Sequence, residues 1–153
     1  MRNPLALGVF LLLVFMVAQL GWLFPPGEWY ADLARPAFAP PNWVFGPVWT
    51  VLYVMIAVAG WLIWQATGTQ SKAIKLWGAQ LVLNALWTPL FFGLHALGLA
   101  LVEMTLLWLV IVACVVVFRR VSKLAAWLFV PYVAWVSFAW ALNAGFWLLN
   151  RSA

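Results

Sequence analysis

Charged side chains are scarce in this sequence, at 7% of 153 residues, and only three of them are acidic. Soluble domains carry about 25% charged residues, so this composition excludes an ordinary soluble protein. Cysteine and histidine occur once each, as Cys114 and His95. A single cysteine excludes an intramolecular disulfide. His95 has no cysteine or carboxylate neighbour at ligand spacing, so we expect no metal site.

Long apolar runs dominate the sequence. Hydrophobic residues make up 68% of it, and the mean hydropathy is +1.05. A run of about 20 apolar residues crosses a bilayer as a helix. Five such runs predict an all-α membrane protein, a single domain over residues 1–153 built as a bundle of five transmembrane helices. The predicted helices cover residues 5–24, 43–66, 76–94, 97–118 and 124–149. The first run is longer than a signal-peptide core and no small-x-small cleavage site precedes Pro25, so we expect it to be retained.

The net charge of +5 bears on membrane topology rather than on nucleic acid. Most basic residues fall at the N-terminus and in the turns after the second and fourth predicted helices. They are Arg2, Lys72, Lys75, Arg119, Arg120 and Lys123. The positive-inside rule then predicts a multi-pass protein of a bacterial cell membrane, with a cytoplasmic N-terminus and residues 25–42 outside. An alternative for the last three residues is a basic patch for anionic lipid.

Tryptophan is abundant, with thirteen residues. Eight lie near the ends of apolar runs, where indole rings usually occupy the membrane–water interface. They are Trp22, Trp29, Trp43, Trp61, Trp64, Trp77, Trp127 and Trp147. Trp49, Trp87, Trp108, Trp135 and Trp140 lie well inside the runs. A buried indole needs a partner for its N–H and offers a flat face, so this internal set suggests a pocket for a flat, apolar ligand.

Polar and aromatic residues recur at helical spacing along three predicted spans. The stripes contain Phe45, Trp49, Tyr53 and Ile56; Gln80, Asn84, Trp87, Thr88 and Phe91; and Tyr132, Trp135, Ala139, Leu142, Asn143 and Phe146. At about 1.5 Å per helical residue, Trp49, Trp87, Glu103 and Asn143 fall in one layer, roughly 9 to 11 Å below the face that carries residues 25–42. We therefore predict a cavity at this depth. The alternative is that the Asn and Gln side chains only join helices by hydrogen bonds.

Two residues within the predicted spans, Glu103 and Pro89, bear on the chemistry and shape of the predicted cavity. Glu103 is the one acid within a predicted span, which makes it a candidate ligand anchor or proton carrier, with a structural role as the alternative. Pro89 is expected to kink the third helix.

The predicted loop 25–42, called the first loop below, is rich in proline and glycine. It also carries Trp29, Tyr30 and Phe38, which are hydrophobic enough to dock onto the bundle. We expect a short helix over residues 28–34 and a stiff, extended remainder, so that the loop forms a lid over the cavity. Asn42 follows Pro41 and is predicted to cap the second helix.

The segment PPNWVFGPVWTVLY, residues 40–53, resembles the signature of the TspO/MBR family, which comprises tryptophan-rich sensory proteins and translocator proteins once called peripheral benzodiazepine receptors. Further similarities follow in the family's order, in residues 28–30, 80–93 and 131–143 and in the acid at Glu103. The resemblance implies a five-helix bundle, commonly a homodimer. It also implies a pocket beneath the first loop for porphyrins, such as protoporphyrin IX and heme, and for drug-like isoquinoline or benzodiazepine-type ligands.

The resemblance also implies which residues lie at that pocket. They are Trp29, Tyr30, Pro41, Phe45, Trp49, Tyr53, Asn84, Trp87, Phe91, Trp135, Ala139 and Leu142. Phe38, where many members carry Trp, completes the lid, and the common depth adds Glu103 and Asn143. The sterol-recognition stretch of animal members needs a Tyr where this chain has Ala144, so we give sterol binding little weight.

The function implied by the resemblance is a membrane protein that binds tetrapyrroles, needs no cofactor, and senses, sequesters or moves its ligand in stress regulation. One alternative is light- and oxygen-dependent porphyrin breakdown, with Trp135 as the electron donor. Another is proton-coupled export through Glu103, although the chain has no internal repeat of the kind that alternating access commonly uses. No acid–base pair, nucleophile or metal cluster in the sequence favours ordinary catalysis, so we do not expect an enzyme.

Overall fold

The computed structural model describes residues 3–151, which are helical and contain no β-strand. Arg2, part of the predicted charge asymmetry, lies outside the described residues. Seven α-helices are joined by short turns, with a 3₁₀ turn at Asn42–Val44 and a π-helical turn at Pro89–Gly93. The α-helices are α1 (Pro4–Ala18), α2 (Leu20–Leu23), α3 (Gly27–Asp32), α4 (Phe45–Thr67), α5 (Lys72–Thr88), α6 (Leu97–Phe118) and α7 (Lys123–Asn150).

Four stretches are long and apolar enough to cross a membrane: Pro4–Leu23, Asn42–Thr67, Leu97–Phe118 and Lys123–Asn150. They coincide with four of the five predicted spans to within a few residues. The remaining predicted span, 76–94, is not one continuous α-helix, because α5 ends at Thr88 and the π-helical turn follows it.

Proline explains this break. Pro89 has no N–H to donate to the preceding turn, so the regular hydrogen-bond ladder cannot continue through it. The chain widens instead, and the Leu94 N–H donates to the Pro89 carbonyl five residues back at 2.8 Å. The predicted kink therefore takes the form of a π-helical turn, a feature that often occurs at functional sites.

Side-chain caps mark the beginnings of α1, α5 and α7. Asn3 accepts the Ala6 N–H at the start of α1, and Ser122 accepts the Ala125 N–H at the start of α7. Ser71 does the same for α5 through the Ile74 N–H. Each cap satisfies a backbone donor that the first helical turn leaves free.

The long helices pack side by side in a closed circuit. Helix α1 packs on α4, α4 on α7, α7 on α6, α6 on α5, and α5 on α1. Successive long helices from α4 onward are antiparallel, because short turns connect them. The first loop and the α5–α6 turn therefore lie at one end of the bundle, and the α4–α5 and α6–α7 turns lie at the other.

Trp77 departs from the interfacial position that its place in the sequence predicts. Its side chain is only 4% exposed, and its indole N–H donates to the Ile56 carbonyl of α4 at 2.9 Å. The ring occupies the space that a side chain at Gly60 would fill. Trp22, Trp43 and Trp127, in contrast, are 70% or more exposed, which fits an interfacial belt.

We expect Gly60→Ala to destabilise the protein by about 1–3 kcal/mol, because the added methyl group would collide with the Trp77 ring. Thermal unfolding in detergent micelles measures the effect. Gly78→Ala is the matched control, since a methyl group there meets no atom within 4 Å. Equal melting temperatures for the two variants would show that Trp77 does not require the glycine.

Candidate functional site

A cavity of about 280 Å³, called the outer cavity below, lies beneath the first loop. Its walls come from α2, the first loop, α4, the end of α5 with the π-helical turn, α6 and α7. Most of the surface is aromatic. The lining residues are Gly21, Phe24, Pro26, Tyr30, Asn42, Phe45, Trp49, Trp87, Thr88, Phe91, Phe92, Met104, Trp135, Ala139, Leu142, Asn143 and Phe146.

A second cavity of about 250 Å³, the inner cavity, adjoins the first. The two share Trp49, Trp87 and Met104 among their lining residues. Tyr53 and Asn84 lie on the inner wall only. The inner cavity lies between α1, α2, α4, α5 and α6, whereas the outer cavity also reaches α7.

Eleven of the fifteen predicted site residues lie on these walls. Nine line the outer cavity: Tyr30, Phe45, Trp49, Trp87, Phe91, Trp135, Ala139, Leu142 and Asn143. Tyr53 and Asn84 line the inner cavity. Trp29, Phe38, Pro41 and Glu103 lie on neither wall.

Three of these four residues, Trp29, Phe38 and Pro41, belong to the first loop and lie away from the cavity walls. The Trp29 ring stacks on His95, with ring centroids 3.9 Å apart and planes within 5° of parallel. Phe38 is 52% exposed and meets Phe138 edge-on. Pro41 borders a groove on the outer surface of the first loop. These residues hold the loop in place rather than line the cavity beneath it.

Glu103 is buried at 6% exposure, and both of its carboxyl oxygens lack a hydrogen-bond partner within the described residues. Its neighbour Met104 lines both cavities. Successive residues on an α-helix point about 100° apart, so Glu103 faces a helix–helix contact instead of the ligand space. A shared depth along the helices therefore does not by itself indicate that a side chain such as Glu103 lines the cavity.

A buried hydrogen-bond network joins α4, α5 and α7 next to the inner cavity. The Tyr132 hydroxyl donates to Gln80 Oε1 at 2.8 Å and accepts from Asn84 Nδ2 at 2.7 Å. The Tyr53 hydroxyl donates to Asn84 Oδ1 at 3.2 Å. These polar groups join helices, as the alternative interpretation of the sequence held, and they hold the inner wall in one geometry.

Asn143 performs the same role for the outer cavity. Its Oδ1 accepts the Trp87 indole N–H at 3.0 Å, and its Nδ2 donates to the Leu97 carbonyl at 3.0 Å. One side chain of α7 thus fixes the end of α5 and the beginning of α6. Asn143 and Trp87 line the cavity, but their hydrogen-bonding groups are engaged by the protein.

Trp135 differs from Trp87 in the state of its indole N–H. Its ring packs against Phe45 and Phe138, at centroid distances of 5.9 and 5.4 Å. The buried indole N–H has no partner within residues 3–151. A buried donor without an acceptor is costly, so this N–H is an unsatisfied polar group behind the aromatic wall.

Trp108 and Trp140 do not belong to the cavity that the sequence predicted for them. They line a separate groove on the outer side of α6 and α7. The Trp108 N–H donates to Ser137 Oγ and the Trp140 N–H to Thr105 Oγ1, both at 2.8 Å. Each indole is satisfied by a hydroxyl on the opposite helix, so these residues link the two helices at their outward face.

Hydrogen bonds brace the first loop internally and attach it to α7. The Arg35 guanidinium donates to the Pro40 carbonyl at 3.0 Å, the Tyr30 hydroxyl at 3.2 Å and Asn42 Oδ1 at 3.3 Å. Asn150 at the end of α7 exchanges two 3.0 Å hydrogen bonds with the backbone of Ala34. The predicted cap at Asn42 is wrong, because its side chain accepts from Arg35. The short helix predicted over 28–34 forms at Gly27–Asp32.

The comparisons with known proteins agree on one family. The family model for the TspO/MBR family matches residues 9–148. The chain belongs to the TspO/MBR family. The tryptophan-rich sensory protein of Cereibacter sphaeroides is 39% identical over 126 residues, 82% of this chain and 79% of the relative. The translocator protein of Homo sapiens is 40% identical over 139 residues, 86% and 82% of the two chains. The tryptophan-rich protein TspO of Archaeoglobus fulgidus is 37% identical over 152 residues, 97% and 99%.

This TspO/MBR chain is therefore a membrane protein, and its cavity includes residues that the sequence prediction omitted. Phe146 and Thr88 line the outer cavity and lie on the stripes that spacing had identified. Phe24 and Met104 also line it, but no pattern marks them. They lie in stretches that are apolar on every side, and such a helix gives no indication of which face is interior.

We expect Tyr132→Phe to destabilise this TspO/MBR protein by about 2 kcal/mol or more, because Gln80 and Asn84 would both lose a buried partner. Tyr53→Phe is the matched control and removes one longer hydrogen bond, with an expected cost of about 1 kcal/mol. Thermal unfolding in detergent measures both. A Tyr132→Phe variant no less stable than the control would mean that water or rearrangement satisfies the network.

Proposed function

We propose that the outer cavity binds flat hydrophobic ligands, with porphyrins as the leading class and drug-like isoquinoline or benzodiazepine-type molecules as others. The observation that carries the proposal is the cavity beneath the first loop, where nine of the seventeen lining residues are aromatic. Ligand sites are typically concave and mostly apolar, with a few polar groups that orient the ligand.

The chemistry of the walls supports a planar aromatic ligand. The side chains of Trp49, Trp87 and Phe91 present ring faces and edges to the cavity, and aromatic pairs of this kind prefer offset or edge-to-face contact. Asn143 and Trp87 bond to each other, and Asn143 also bonds to the Leu97 carbonyl, so contact with the aromatic rings would dominate ligand binding. The carboxylates of a porphyrin would remain toward the first loop.

A binding protein of this kind senses, sequesters or moves its ligand within the membrane. No observation on the described residues favours light-dependent porphyrin breakdown or proton-coupled export over binding. We therefore assign neither a catalytic role to Trp135 nor proton transfer to Glu103.

The first test is a titration with protoporphyrin IX in the dark, followed by tryptophan fluorescence quenching in detergent. We expect Ala139→Phe to weaken binding at least about tenfold, because the added ring would fill part of the outer cavity. Ala134→Phe is the matched control: it makes the same change on α7, at a position that does not line either cavity.

Trp135→Phe extends this test, since it keeps an aromatic ring on the wall but offers a smaller one. We expect a loss of about two- to tenfold, because the phenyl ring makes less contact with the ligand. Saturable binding that is insensitive to both Ala139→Phe and Trp135→Phe would place the porphyrin elsewhere and refute the proposal.

The first loop would act as the lid of this site. It contributes Pro26, Tyr30 and Asn42 to the outer cavity, and Arg35 fixes the shape of the loop through three hydrogen bonds within it. We expect Arg35→Gln to speed porphyrin release by about tenfold, because charge-assisted hydrogen bonds are among the stronger ones.

Stopped-flow displacement measures this release rate. Arg151→Gln serves as the control, because it removes one positive charge just after α7, at the same end of the bundle. Identical release rates for the two variants would mean that ligand exchange does not pass through the first loop.

For the assembly in the membrane, we propose that α5 and the π-helical turn together form a fifth span, and that the N-terminus is cytoplasmic. The basic residues Lys72, Lys75, Arg119, Arg120 and Lys123 lie at the end of the bundle opposite the first loop, as the positive-inside rule requires for this orientation. A homodimer is proposed from the family resemblance alone.

A further inference from the structure

A concave pocket lies at the turn between α6 and α7, at the end of the bundle opposite the first loop. Its volume is about 520 Å³, and we call it the basic pocket. Arg119, Arg120 and Lys123 line it together with apolar residues. The full lining is Val115, Arg119, Arg120, Lys123, Ala126, Trp127 and Val130.

No acid in the sequence is placed to neutralise these three cations. Glu28 and Asp32 belong to α3, near the other end of the bundle. Glu103 precedes Arg119 by sixteen residues on α6, which is about 24 Å along the helix. The basic pocket therefore has a strong unbalanced positive charge.

The apolar side of the pocket continues toward the membrane interior. Val115 lies one turn before the α6 terminus, and Val130 lies two turns into α7. Trp127 stands between the charged end and Val130 and is 70% exposed, as expected of a ring at the membrane–water interface. Charge at one end and an apolar strip at the other match a phospholipid better than a free anion.

The orientation rule accounts for positive charge at this end of the bundle but not for its arrangement. Lys72 and Lys75 satisfy the same rule at the same end without lining this pocket. In contrast, Arg119 and Arg120 converge with Lys123 on one concavity. Arginine is well suited to phosphate, because its planar guanidinium donates two parallel hydrogen bonds.

We propose that the basic pocket is a specific binding site for one anionic glycerophospholipid. Arg119, Arg120 and Lys123 hold the headgroup phosphate, and an acyl chain lies along Trp127 and Val130. The site is separate from the outer cavity, so the proposal does not depend on porphyrin binding.

The test uses the full chain in a neutral detergent and native mass spectrometry, with phosphatidylglycerol and phosphatidylcholine of identical acyl chains as probes. We expect one phosphatidylglycerol to remain bound under conditions that remove phosphatidylcholine. The double variant Arg119→Gln/Arg120→Gln should reduce phosphatidylglycerol affinity by about tenfold or more. Lys72→Gln/Lys75→Gln, which removes the same charge at the same end, should change it less than about twofold.

Two further measurements distinguish a bound lipid from a free anion and from nonspecific surface charge. Trp127→Ala leaves the charge unchanged and should still weaken phosphatidylglycerol binding, while inorganic phosphate at millimolar concentration should fail to displace the lipid. Displacement by phosphate would overturn the lipid assignment in favour of a free anion. Equal losses in the two double variants would reduce the pocket to nonspecific surface charge, and equal retention of the two lipids would show that its charge does not select the headgroup; either result overturns the proposal. Melting temperatures show that each variant is folded.

Discussion

The absence of water from the hydrocarbon core is the constraint on which this structure depends, because every polar side chain within a span needs a partner inside the protein. Asn143 shows the consequence. Its amide group binds the Trp87 indole on one side and the Leu97 carbonyl on the other, so three parts of the bundle meet at one residue. Tyr132 repeats the arrangement deeper in the bundle with Gln80 and Asn84. The polar residues thereby determine how the helices are placed around the cavity.

Because these polar groups are paired with each other, few hydrogen-bonding groups remain for a ligand in the cavity. Once Asn84, Asn143 and Trp87 are engaged by the protein, the remaining surface consists mainly of aromatic rings. Such a surface selects ligands by shape and aromatic contact more than by a set of directed hydrogen bonds. The same composition suits several flat molecules, because ring faces tolerate small changes of position better than hydrogen bonds do.

The sequence predicted the helices well because apolar runs end at polar turns, and residues 97–118 form α6 with the predicted bounds. It predicted the face of a helix less well. In water, an amphipathic pattern distinguishes interior from exterior, but lipid and protein core are both apolar, so Trp108 and Trp140 carry no mark of facing outward. Trp77 shows the opposite case: its position near a helix end predicted an interface, whereas Gly60 on another helix makes room for it in the core. Contacts between distant segments decide such cases, and a single sequence does not encode them locally.

The cavity itself has an energetic consequence. Unfilled space in a packed protein costs stability, because the atoms at its walls lose packing contacts. Collapse would recover that energy only if the surrounding helices moved together, and the bonds made by Asn143 and Tyr132 oppose such movement. Ligand binding supplies the missing contacts without moving the helices. The polar network therefore keeps the cavity open, and a bound ligand restores the packing contacts that the empty protein lacks.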